Sequence, residues 1–170
     1  MVRRAILPGK AWVRLLKQDG EKLVFQIRGK EKRILLDLLN LYPLTPLNHA
    51  RLSRTTDSER AKSDQQLLED ALGEQREENK KRLRALLQDP RRWDGSGADL
   101  KLTLTAAEVE WLLQVLNDVR IGSWIQLDCP DPERGPLPDL TLKTARRYWA
   151  MEMAGVYESV LLHAIDPEIS

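Results

Sequence analysis

The sequence predicts a mainly helical α+β protein: a bundle of three to four helices with a small antiparallel sheet, the sheet made from an amino-terminal hairpin and a strand near residues 100–104. Three observations predict it. The dipeptide Asp19-Gly20 separates two short runs of strand-forming residues. Leu100, Leu102 and Leu104 alternate with Lys101 and Thr103, the period of a half-buried strand. Thr105-Ala106-Ala107-Glu108 then matches a capping box, in which the Thr hydroxyl and the Glu carboxylate each satisfy an amide of the opening turn. At 170 residues, 42% hydrophobic and 31% charged, the chain has the size and composition of a single domain that can bury a core without disulfides or metals.

The first strands are expected over Trp12–Lys17 and Lys22–Arg28, joined by Gln18-Asp19-Gly20-Glu21, because Asp-Gly supplies the positive φ of a tight turn. Alternation within the second strand puts Leu23, Phe25 and Ile27 on one buried face. A helix from Glu31 to about Tyr42 follows, with Ile34, Leu35, Leu38, Leu39 and Leu41 as its apolar stripe. Pro43 and Pro46 end it, and residues 43–55 are expected as an extended, mobile loop.

A long helix is expected from Thr56 or Asp57 to Gln88, sparse in apolar positions and with none at all from Glu74 to Lys81. Such a helix is either solvated on every side or packed along one narrow stripe. Glu77–Lys81 and Glu78–Arg82 are spaced as favourable i,i+4 pairs. Asp89-Pro90 stops it, and Trp93 to Gly97 is expected as a turn or linker. After the capping box, a helix places Val109, Leu112, Leu113, Leu116 and Val119 toward the core, while Trp111 lies off that stripe over a neighbouring element. The four prolines between Cys129 and Pro138 require a loop. A last helix, from Leu140 or Thr141 to about Ile165, is expected to bury Ala145, Trp149, Val156, Val160 and Leu161.

Several function classes find no support. No apolar run approaches the roughly 20 residues that span a bilayer. The opening MVRRAILPGKAWVR has neither the apolar stretch nor the cleavage site of a signal peptide. The expectation is a cytoplasmic protein with no membrane association. The lone Cys129 excludes an intramolecular disulfide, and His49 and His163 have no ligand at metal-binding spacing, so no metal or cofactor is expected. Gly95-Ser96-Gly97 is a turn rather than a phosphate cradle, because no lysine-bearing helix start follows it.

Charge is unevenly spread. Residues 1–33 hold ten Lys/Arg against three Asp/Glu, and residues 105–170 hold five against eleven, within a net charge of +1. A basic head and an acidic tail can face each other, within one chain or across a homodimer, without any outside partner. The alternative is an anionic partner for the head: Arg14, Lys17, Lys22 and Arg28 are the candidate nucleic-acid contacts, with Trp12 and Phe25 interleaved. Against nucleic acid, Phe25 shares the apolar face of its strand, and the whole chain is near neutral.

The best polar cluster is Asn117, Asp118 and Arg120 on the central helix with Arg146 and Arg147 on the last. Asn117 and Arg120 are three residues apart and share a face, and Asp118 points one position round. As a site, Arg120 would hold a carboxylate or phosphate and Asp118 would act as acid or base. As structure, the same residues form a hydrogen-bonded network that fixes helix packing, and the balance favours structure. No catalytic residue is assigned.

The strand–helix start KLVFQIRGKEKRILLDLL, the charged middle helix, the stretch LTLTAAEVEWLLQVLNDVR and the Tyr148-Trp149 helix, in that order, span most of the chain. In these features it resembles the bacterial domain-of-unknown-function family two-thousand-seventeen, with Leu-Asn-Asp-x-Arg at Leu116–Arg120 as the most specific part. The resemblance implies a small soluble bacterial protein with no established enzymatic activity, some relatives being encoded near the adaptor of the Clp protease. Where such proteins continue into a Leu-Gly turn, this chain has Gln126-Leu127-Asp128-Cys129, followed by its proline-rich loop. The resulting expectation is a non-enzymatic interaction or regulatory module with a protein partner. An enzyme with a cleft around Asp118 and Arg120, or a nucleic-acid binder using the basic hairpin, are the alternatives.

Overall fold

The computed structural model describes residues 13–49, 58–131, 133, 135, 139 and 141–166. The elements are β1 (Val13–Asp19), β2 (Lys22–Ile27), α1 (Gly29–Leu39), α2 (Glu59–Gln88), β3 (Trp93–Asp94), β4 (Lys101–Thr105), α3 (Ala106–Gln126) and α4 (Leu142–Ile165). The four strands form one antiparallel sheet in the order β1-β2-β4-β3. This is the expected class, mainly α with a small sheet. The expectations for Trp12, for residues 50–57 and for the loop prolines after Pro130 lie outside the described residues.

Strand pairing explains the hairpin. β1 runs through Asp19, which pairs with Lys22, so the loop is Gly20-Glu21 alone, shorter than expected, with Gly20 at φ +59°. A bulge between Leu15 and Lys17 leaves Leu16 unpaired and exposed. Leu23, Phe25 and Ile27 are each 1% exposed, as alternation predicted, and each such burial contributes about 1.5–3 kcal/mol. β4 joins as the third strand, with Leu102 opposite Phe25 and Leu104 opposite Leu23. Trp93-Asp94, expected as linker, adds a fourth strand by pairing with Leu102 and Lys101. The helices cover only the Phe25 face. Arg14, Lys17, Lys22, Val24, Gln26 and Lys101 share the opposite face by register.

Three helix boundaries move. α1 starts at Gly29 and ends at Leu39, with Leu35, Leu38 and Leu39 buried. α2 starts at Glu59, capped by the Ser58 hydroxyl, which accepts from the Ala61 amide. The expected i,i+4 pairs are replaced by i,i+3 ones, Glu77 with Lys80 and Glu78 with Lys81, and Arg82 lies instead over the Trp111 ring. The capping box at Thr105 and Glu108 is present, and Glu108 also takes a bidentate pair from Arg92, tying the turn after α2 to the start of α3.

The last helix corrects the expected core face. α4 buries Ala150, Met153, Ala154, Tyr157, Glu158, Leu161 and Ala164. Trp149 is 41% exposed, and Ala145, Val156 and Val160 are only half-buried. The physical reason is the close approach of α3 and α4, the largest helix–helix contact in the fold. Small side chains on the contact line let the backbones near one another, and bulky ones are turned to the flanks. Replacing Trp149 by Ala should therefore cost under about 1 kcal/mol, whereas Ala154→Leu at a fully buried position should cost about 1–3 kcal/mol in urea denaturation. The opposite ranking would return Trp149 to the core.

Candidate functional site

Successive residues of a helix point about 100° apart, so Asn117, Asp118 and Arg120 address different neighbours. Asp118 faces the segment after α1. Its Oδ1 accepts from the Leu44 amide at 2.6 Å and the Thr45 amide at 3.2 Å, and its main-chain carbonyl accepts from Thr45 Oγ1 at 3.0 Å. Its Oδ2 lies 3.6 Å from Arg76 on α2. One turn on, Gly122 makes room for that backbone: a Cβ there would stand 2.5 Å from the Leu44 carbonyl carbon and 2.7 Å from the Thr45 amide nitrogen. Asn79 completes the clamp by donating to the Tyr42 hydroxyl and accepting from the Trp111 indole. Part of the expected mobile loop is thereby strapped between α2 and α3.

Arg120 turns the other way. Its Nη1 donates to Glu158 Oε2 at 3.0 Å across the α3–α4 groove, with Arg120 half exposed and Glu158 buried. Trp124, Tyr148, Met151 and Val156 line this groove, a cavity of about 760 Å³. Trp124 also donates to the Pro130 carbonyl and so holds the start of the proline-rich loop. Just before it, Asp128 and Cys129 adopt φ of +59° and +54°, the left-handed geometry that favours glycine. Arg146 and Arg147 lie elsewhere, in a second groove at the opening of α4, and Asn117 is exposed. The five cluster residues therefore do not form one site: Asn117, Asp118 and Arg120 go separate ways, and only Arg146 and Arg147 share a groove.

Of the candidate nucleic-acid contacts, Arg14, Lys17, Lys22 and Arg28 are all exposed. Arg14 donates to Gln26, and Lys17 is 3.6 Å from Asp19. Phe25 is in the core on the other side of the sheet, so it offers no stacking surface beside them. Among the described residues, no group of three or more His, Cys, Asp or Glu is placed to hold a metal ion, and no helix is long and apolar enough to cross a membrane.

Sequence reasoning missed Glu158 and Gly122. A signal existed for the first: Glu158 is four residues after Ala154 and three before Leu161, inside the arc that α4 buries. Compared with family models, curated proteins and solved structures, the chain matches none.

Burial pushes the Glu158 carboxyl above its ordinary range, against the opposing pull of Arg120. A carboxyl whose folded-state pKa is raised favours the fold while protonated, and that contribution is lost as pH rises through the folded pKa. Glu158→Gln should therefore gain stability relative to the parent as pH rises from about 4 to neutrality, read by denaturation at both ends. Arg120→Ala should push the Glu158 titration higher still, followed by carboxyl carbon NMR. Asp118→Asn should cost about 1–3 kcal/mol by weakening its bonds to the half-buried Leu44 and Thr45 amides and to Arg76, and Gly122→Ala a similar amount by overpacking. A melting temperature unchanged in both would remove the clamp as a structural element.

Proposed function

We propose that this protein is a non-enzymatic interaction or regulatory module whose partner is another protein, contacted through the amino-terminal two thirds of α2. One observation carries the reading. α2 is 30 residues, about 45 Å, yet its buried residues are Leu83 and Leu86, both near its end. From Glu59 to Arg82 no residue is buried, and Leu67 is 65% exposed. Most helical stability in a protein comes from packing of one face, and over this stretch a partner supplies the packing that the fold does not.

The chemistry of this surface narrows the partner. Residues 59–78 carry seven acidic side chains against three basic ones. A complementary surface presents basic groups around an apolar contact for Leu67. A second copy of the chain meets that description through the outer face of its sheet, where Arg14, Lys17, Lys22 and Lys101 stand together, so a homodimer belongs to this proposal. The likeness of LTLTAAEVEWLLQVLNDVR to the bacterial family of unknown function agrees with a non-catalytic role.

An enzymatic reading keeps one supporting observation, the raised carboxyl of Glu158 beside Arg120 in a groove. Asp118 supports it poorly, because both of its carboxylate oxygens are engaged by Leu44, Thr45 and Arg76. To test the interaction reading, a photo-crosslinking residue placed at Leu67 is activated in the native cell and the adducts are sized and sequenced. One predominant protein adduct, or a dimer of this chain, either abolished by salt, is the expected result. A chain that remains monomeric and yields no adduct overturns it.

A further inference from the structure

We propose that the groove between the end of α1 and the first two turns of α4 binds a nucleoside phosphate. The groove is a cavity of about 900 Å³, within the range of small-molecule sites, walled on one side by Asp37 and Leu41 and on the other by Leu142 to Trp149.

Its charge is unbalanced. Lys143, Arg146 and Arg147 lie within five residues of one another, and none takes an ion pair or hydrogen bond among the described residues. Other arginines do find partners: Arg76 pairs with Asp118, Arg92 with Glu108 and Arg120 with Glu158. The first turn of α4 contains no acidic residue to offset the three. Two guanidinium groups and an ammonium so placed match the oxygens of a phosphate, which arginine binds in bidentate fashion.

Two further residues set the rest of the ligand. Trp149 follows Arg146 by three positions, shares its face, and is 41% exposed on the groove wall, a flat platform for an aromatic ring. Asp37 is the acid facing the cations across the groove. Its charge repels a second anionic group from the α1 side and accepts a hydrogen bond from a hydroxyl. Phosphate on α4, hydroxyls toward Asp37 and a planar ring on Trp149 together describe a nucleoside phosphate.

The test uses the full chain at low ionic strength, titrated with adenosine triphosphate, with inorganic triphosphate and with adenosine, by calorimetry and by the indole N–H resonance of Trp149. Saturable one-to-one binding is expected for adenosine triphosphate, weaker for triphosphate and weakest for adenosine. Lys143→Glu with Arg146→Glu, both exposed positions, should weaken the nucleotide about ten- to a hundred-fold with the melting temperature unchanged. Trp149→Leu should weaken the nucleotide and spare triphosphate. Lys30→Glu with Arg84→Glu, both exposed and outside the groove, should change nothing. Absence of saturable binding overturns the proposal, as does equal loss in that control variant, which would mean diffuse charge attraction. Triphosphate binding as tightly as the nucleotide overturns the base platform. A short single-stranded oligonucleotide binding far more tightly at the same residues replaces the small ligand with nucleic acid.

Discussion

Enclosure of α3 is the constraint on which the rest of the structure depends. Val109, Trp111, Leu112, Val115, Leu116, Val119, Gly122 and Ser123 are all buried, and at about 100° per residue they fill one face, nearly half of the circumference. Polar groups on or beside that face cannot be left to water, because an unpaired buried donor or acceptor costs about 1–3 kcal/mol. Four polar side chains on or beside that face are met by other elements, while Glu110, Gln114 and Asn117 stay exposed. Glu108 takes Arg92, Trp111 takes Asn79, Asp118 takes the Leu44 and Thr45 amides, and Arg120 takes Glu158. Ser123 alone keeps a buried hydroxyl without a partner among the described residues.

That arrangement also decides how α2 is held. Arg76, Asn79 and Arg82 reach Asp118, Trp111 and Tyr42, and the next turns bury Leu83 and Leu86. Every one of these anchors lies in the second half of the helix. The first half gains nothing from the core and is left with its acidic residues and Leu67 on the surface. Anchoring at one end gives α2 a defined direction while keeping its length available, which suits a helix that meets something outside the fold.

Much of the fold was legible because its signals are local. Alternation of Leu100, Leu102 and Leu104, the Asp-Gly turn and the Thr105–Glu108 cap each depend on a few adjacent residues. What failed depended on neighbours far along the chain. The core face of α4 was misplaced because large apolar residues were weighted over Ala150 and Ala154, whereas a close helix contact selects small ones. The strand at Trp93-Asp94 is two residues long, below any periodic signal, and exists through its pairing with β4. Within the polar cluster, sequence separation suggested one site, and helical rotation sends Asp118 and Arg120 to opposite partners. Glu158 was hidden for a related reason: its partner is 38 residues away in sequence.

Sorting the charges by whether they are satisfied separates structure from function. Asp118, Glu108, Arg92 and Arg120 are spent on contacts between elements, and altering them should be felt first as stability. Lys143, Arg146 and Arg147, the outer face of the sheet and the flank of α2 contribute nothing comparable to packing. Concentrating like charges without counter-ions is mildly unfavourable for the folded chain alone. The surfaces that keep such imbalance are therefore where a ligand or partner gains most by binding, because it supplies the missing charge without displacing an existing one. For this protein they are the groove at the opening of α4, the outer face of the sheet and the first half of α2, none of which supplies a residue to the clamp that holds α3 in place.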